Sequence, residues 1–129
     1  MCFVGTTANG HSVVMEGAAA EGEVKRGPIP MEMLLLGVAG CSSIDVVMIA
    51  EQQRQKITDC RAEVTAKRAD TVPRVFTEIH IHFKVYGRDL QESAIERAVQ
   101  MSAEKYCSAS IMLGKAAKMS HSFEIVETE

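Results

Sequence analysis

The 129-residue chain has no tryptophan and only two tyrosines and four phenylalanines. So few flat rings exclude an aromatic platform on which nucleic-acid bases could stack. Positive charge is not in excess either: 14 basic residues against 17 acidic ones leave a net charge of −3. Neither nucleic acid nor an anionic membrane surface is therefore expected as a partner. The first residues lack a basic start followed by an apolar run, so no export leader is expected and a cytoplasmic location is. In that reducing setting Cys2, Cys41, Cys60 and Cys107 begin as thiols, and a disulfide among them would be catalytic or redox-sensing. Also missing are a P-loop, a dinucleotide glycine signature, a Ser-His-Asp pattern, an internal repeat and a low-complexity tract. No cofactor is expected. The length fits one domain over residues 1–129.

What is present is a mixture of strand and helix signals, which places the chain in the α+β class. Residues 1–17 read as a strand, a turn at Ala8-Asn9-Gly10, and a second strand. Residues 17–30, rich in glycine, alanine and proline, read as a mobile loop. Pro30 and Glu32 suit the first turn of a helix that should run to about Gln55. Its apolar core, Met31 to Ala50, has about the length of a membrane span. Glu32, Asp45 and several small polar residues inside it favour a central helix covered by protein. Two strands are expected next, 57–68 and 75–86, forming an antiparallel hairpin. In the second, Val75, Thr77, Ile79, Ile81, Phe83 and Val85 fall on one face, opposite Phe76, Glu78, His80, His82, Lys84 and Tyr86. Asp89 and Glu92 have capping-box spacing before a helix from Leu90 to about Lys105. Tyr106-Cys107 breaks it, a short helix follows at 108–117, and residues 118–127 return as a last strand.

Cys41 lies in the most apolar stretch of the chain, and Cys107 opens another. Either could be a small buried hydrophobe or a nucleophile. Asp45 follows Cys41 by one helical turn, about 40° around, so it shares a face with the thiol. A carboxylate there raises the thiol pKa, so a nearby cation is needed to make thiolate. A helix start would help Cys107 in the same direction. Cys60 has core parity on its strand, and Cys2 is terminal. His80 and His82 share a strand face, and His11 and His121 are isolated. Two ligands fall short of a zinc site, so a solvated sheet face is expected and no metal. A metal-binding role for His80 and His82 is a weaker third reading.

The ordered motifs Pro30-Met31-Glu32-Met33-Leu34, Gly40-Cys41-Ser42-Ser43-Ile44-Asp45-Val46-Val47, Leu90-Gln91-Glu92-Ser93-Ala94-Ile95-Glu96-Arg97-Ala98-Val99 and Ser102-Ala103-Glu104-Lys105-Tyr106-Cys107-Ser108 resemble the OsmC/Ohr family of thiol-dependent peroxidases. The resemblance runs from about residue 3 to 127. It implies an α+β fold of antiparallel sheets around two central helices, built as an intertwined homodimer. It also implies reduction of organic hydroperoxides, with Cys41 attacking the peroxide and Cys107 closing a disulfide that a dithiol or lipoyl protein reduces. The family's peroxidases begin the central helix with an Asn-Pro-Glu-like motif whose glutamate holds an activating arginine. Here Met31 follows Pro30, and Glu32 is shifted by one position, roughly 100° around the helix. Residues 1–25 contain no arginine, so Arg26 is the nearest substitute, with Glu32 or Asp45 to orient it. Met31, Leu34, Leu35 and Met112 would line the substrate side and favour alkyl peroxides. The contrasting expectation is a non-enzymatic dimer that senses redox state or binds a small molecule.

Overall fold

Alternating and helical hydrophobic periods in the sequence resolve into five strands and three α-helices in the computed structural model, which describes residues 1–17, 22 and 24–129. The chain forms two units, Met1–Leu36 and Gly37–Glu129.

In the first unit, β1 (Cys2–Thr6) pairs antiparallel with β2 (Ser12–Glu16), Cys2 opposite Glu16 and Thr6 opposite Ser12. The chain reverses through Gly10, whose φ of 85° suits a residue without Cβ. The Arg26 backbone N–H donates to Glu16 Oε2, and the Glu16 N–H to the Pro28 carbonyl at 3.0 Å. Of the expected mobile loop, residues 18–21 and 23 lie outside the described residues.

Helix α1 runs from Pro30 to Gln52. Proline opens it, where no N–H is needed, and Glu32 Oε1 accepts from the Ile29 N–H at 2.9 Å, half of a capping box. The helix stops three residues before the expected Gln55. The Gln55 N–H reaches back to the Ala50 carbonyl at 3.0 Å and the Arg54 N–H to that of Glu51 at 2.9 Å. This is a Schellman closure with Arg54 in the left-handed region at φ 60°. Val38, Ser42, Val46 and Ala50, four apart, form the buried stripe of α1. By length and composition α1 could cross a membrane (mean hydropathy 2.1), and in the single chain only 22% of that window is buried.

Strands β3 (Lys56–Arg68) and β4 (Phe76–Arg88) form the expected antiparallel pair. Ile79, Ile81, Phe83 and Val85 are fully buried. Three consecutive residues break the expected alternation. Phe76 is buried, whereas Val75 and Thr77 are exposed. The cause is a bulge: Arg68 opposes Phe76 while Lys67 opposes Glu78, which inserts one residue and flips the parity. Strand β5 (Lys118–Glu127) adds to β4 in parallel, so the sheet is mixed rather than wholly antiparallel. A parallel neighbour requires a crossover, and the helices between β4 and β5 supply it.

Asp89 is not an N-cap. It adopts φ 52° after β4, and its N–H donates to Glu127 Oε1 at 2.8 Å. Aspartate tolerates that left-handed turn, and the helix begins later. α2 is Glu92–Met101, preceded by Gln91. The remainder of the expected helix, Ser102–Tyr106, is a π-helical segment, closed by Cys107 N–H to the Ser102 carbonyl at 2.8 Å. α3, Ser108–Leu113, is shorter than the expected 108–117.

On the outer sheet face, His80 bonds the Ser120 hydroxyl through Nδ1 (2.7 Å) and the Ser122 hydroxyl through Nε2 (2.8 Å). His82 Nδ1 meets Ser122 Oγ at 2.7 Å, and its Nε2 lies 3.7 Å from Glu124 Oε1. Alternating donors and acceptors link Ser120, His80, Ser122 and His82 in one ladder, and Glu124 at 3.7 Å stands beyond hydrogen-bond reach. His121 faces the other way. It stacks on Phe83, with centroids 6.4 Å apart, and its buried Nε2 has no hydrogen-bond partner among the described residues.

Two stability predictions follow from these contacts. Arg54→Gly should raise the unfolding free energy by roughly 0.5–1 kcal/mol in denaturant titration, because glycine carries no Cβ penalty at positive φ. Burial, then the charge of His80, lowers the His121 pKa. A lowered imidazole pKa means that the unfolded chain takes up the proton first. Stability should therefore hold above about pH 6.5, the free imidazole value, and fall below it until the folded form is protonated too. His121→Phe should flatten that decline.

Candidate functional site

The Gly37–Glu129 unit brings together residues from α1 and from the junction between the π segment and α3. Cys41 and Asp45 stand one turn apart on α1 and point to one side, as their spacing dictates. The π segment then delivers Cys107 to them. An α-helix closes each ring at four residues and a π-helix at five, so the wider turn alters where the following residue emerges. The Cys41 sulfur, an Asp45 carboxylate oxygen and the Cys107 sulfur all lie within 4.8 Å of one another. Cys107 is fully buried, while Cys41 and Asp45 are half-buried.

Three buried serines surround this group. Ser42 Oγ lies 3.3 Å from Cys107 Sγ and 3.3 Å from Ser110 Oγ. The Ser110 N–H donates to Cys107 Sγ at 3.3 Å. The Ser102 hydroxyl bonds Asp45 Oδ2 at 3.3 Å and the Ser42 carbonyl at 3.5 Å. Sequence reasoning did not single out these serines as functional. Each stands in an otherwise apolar helical stripe, and a small hydroxyl there was the available signal.

The two thiols are driven apart electrostatically. At Cys41, a hydrogen bond from the Ala109 backbone lowers the pKa. Burial, the Cys107 sulfur and the Asp45 charge outweigh it and raise the thiol above its ordinary value. At Cys107, burial works against the anion. Hydrogen bonds from the Ser110 and Ser42 hydroxyls, the Ser110 N–H and the Cys41 thiol win, and hold it below. Of the two thiols, Cys107 is therefore the more readily ionised. None of these groups is a cation, so the anion is held by neutral donors.

The other sequence candidates are divided between the two units. Arg26, Met31, Glu32, Leu34 and Leu35 belong to the Met1–Leu36 unit. There Glu32 serves the α1 cap, and Arg26 is held through its backbone to Glu16. Met112 is exposed on α3. Cys60 is half-buried on β3, where burial raises its pKa, and Cys2 is exposed.

The family model described as OsmC-like protein matches residues 21–122. The chain belongs to the OsmC-like family. It is 46% identical over 126 residues to Protein YhfA of Escherichia coli K12, covering 98% of this chain and 91% of that protein. A solved structure from structural genomics is 45% identical, with a TM-score of 0.88, covering 98% of this chain and 92% of its own. The crystal structure of the organic hydroperoxide resistance protein OhrB of Bacillus subtilis is 18% identical, with a TM-score of 0.60 and 96% of each chain covered. At that identity OhrB shows a shared fold alone. The OsmC-like fold is thus the setting of the Cys41–Cys107 pair.

If Ser42 stabilises the Cys107 thiolate, Ser42→Ala should lower the fraction of thiolate at neutral pH. Ultraviolet thiolate absorbance followed through a pH titration measures this. An unchanged titration would remove Ser42 from that role.

Proposed function

We propose that the protein reduces organic hydroperoxides with the Cys41–Cys107 pair. The carrying observation is the convergence of both sulfurs and the Asp45 carboxylate within 4.8 Å, on a fold shared with a hydroperoxide resistance protein. Cys41 is the more accessible of the two sulfurs and is the attacking one in this reading. Its proton passes to the Cys107 thiolate. The Cys41 sulfur bonds the distal peroxide oxygen, the O–O bond breaks, and the alkoxide leaves as the alcohol after taking that proton back from Cys107, which is again a thiolate. Cys107 then attacks the sulfenic sulfur, displacing hydroxide, which leaves as water, and closes the disulfide. The pair has lost two electrons to the peroxide, and an external dithiol, such as a lipoyl protein, returns them.

The raised Cys41 pKa and the absence of a cation among the groups that set it favour a second reading. In that reading the same pair senses redox state without fast turnover. Steady-state consumption of cumene hydroperoxide with dihydrolipoamide separates the two. The peroxidase reading predicts sustained turnover that Cys41→Ser abolishes. Cys107→Ser should leave a trappable sulfenic acid on Cys41. A single oxidation without turnover would support the sensor instead.

The same reading includes a homodimer. Leu36, Ile44 and Met48 on α1 are 58%, 62% and 52% exposed in the single chain. A helix apolar all round needs cover on every side, and a second copy related by a two-fold axis would supply it. Sedimentation should give a dimer that persists on dilution, and a folded monomer at micromolar concentration would contradict this.

A further inference from the structure

We propose that the reduced Cys41–Cys107 pair, together with Asp45, binds one thiophilic divalent cation of the zinc type, and that metal and disulfide exclude one another at this site. The proposal concerns the same residues as the peroxidase reading. Its readout is metal binding, so either can fail without the other.

Two sulfurs and one carboxylate oxygen, all within 4.8 Å of one another, already surround a common point. In a tetrahedral zinc site with Zn–S bonds of about 2.3 Å, two sulfurs lie about 3.8 Å apart. Bringing the donors to that spacing needs shifts of about 1 Å or less, within the reach of side-chain rotation. Cys41 and Asp45 come from one helix face, four residues apart, and Cys107 approaches from α3. Their separation in the chain leaves no metal-type spacing in the sequence, and only the fold assembles the set.

The surroundings suit metal ligands. The Ser110 N–H and the Ser42 hydroxyl bond the Cys107 sulfur at 3.3 Å. The Ser102 hydroxyl holds Asp45 Oδ2 at 3.3 Å. Such outer hydrogen bonds fix the direction of ligand lone pairs and spread thiolate charge. Two thiolates and a carboxylate would crowd like charge together, which a dication offsets. The sulfur content selects against magnesium and calcium, which take oxygen ligands. Three protein ligands leave a fourth position for water.

A consequence for redox chemistry follows. A metal-bound Cys41 sulfur has its lone pair engaged, so its attack on peroxide or an alkylating reagent slows. When an organic hydroperoxide does oxidise the pair, the two thiolates give two electrons to the O–O bond. The sulfurs join, alcohol and water leave after taking two protons, and the cation departs because no thiolate ligand is left.

The test uses the full chain, reduced and freed of metal. Zinc is titrated against a chromophoric chelator, and cobalt is used as a spectroscopic probe of thiolate ligation. One zinc per chain is expected, with sulfur-to-cobalt charge-transfer absorption that weakens in Cys41→Ser. Asp45→Asn should weaken zinc binding at least tenfold, and His80→Ala should not change it. Zinc, but not magnesium, should slow alkylation of Cys41 in the wild-type protein, a readout that needs no variant to fold. Failure to bind one zinc per chain, binding unchanged in both Cys41→Ser and Asp45→Asn, or equal protection by magnesium would each overturn the proposal.

Discussion

The hydroxyl of Ser42 lies 3.3 Å from both the Cys107 sulfur and the Ser110 hydroxyl, and through it α1 is tied to α3. A serine 1% exposed in an apolar interior has to find partners, since a buried hydroxyl without them costs on the order of 1–3 kcal/mol. Cys107 and Ser110 are those partners. The same contact therefore satisfies a buried polar group, fixes the approach of two helices, and supplies a donor to a sulfur. Ser102 plays the matching part for Asp45 from the π segment. Without these hydroxyls, the thiols and the carboxylate would sit in an apolar junction with little to hold charge.

This arrangement distributes the chemistry unequally between two identical side chains. Cys107 is buried and surrounded by donors, so it carries the negative charge more readily. Cys41 is more accessible, and burial, the Cys107 sulfur and then the Asp45 charge hold its proton on. In related hydroperoxide chemistry an arginine is the expected way to make the attacking thiolate. In the proposed peroxidase reading, neutral hydrogen bonds at the neighbouring sulfur take that part, with the second thiol as the base for the first.

Much of the architecture was legible because it follows from local periodicity. Ile79, Ile81, Phe83 and Val85 alternate in sequence, and all are fully buried. Phe76 was misplaced because a bulge depends on how two strands pair, and neither strand records it alone. The parallel pairing of β5 escaped for the same reason. Asp89 carries capping chemistry but is used in a left-handed turn, where its backbone serves Glu127. At the site, the shared face of Cys41 and Asp45 could be read from their spacing. The meeting with Cys107 entered the sequence reading through the family resemblance, and it depends on a π turn that carries no clear sequence mark. Ser42, Ser102 and Ser110 were given no role because a serine on an apolar stripe shows its partners only once the helices pack.

The central claim is that Cys41 and Cys107 form one redox unit, and a direct measurement can test it. The reduced protein is treated with an equimolar amount of an organic hydroperoxide, then digested without reductant and mapped by mass spectrometry. The account predicts a peptide pair joined through Cys41 and Cys107, formed within each chain, with Cys2 and Cys60 still free. Linkage through Cys60 or Cys2, or over-oxidation of Cys41 with Cys107 left as a free thiol, would contradict it.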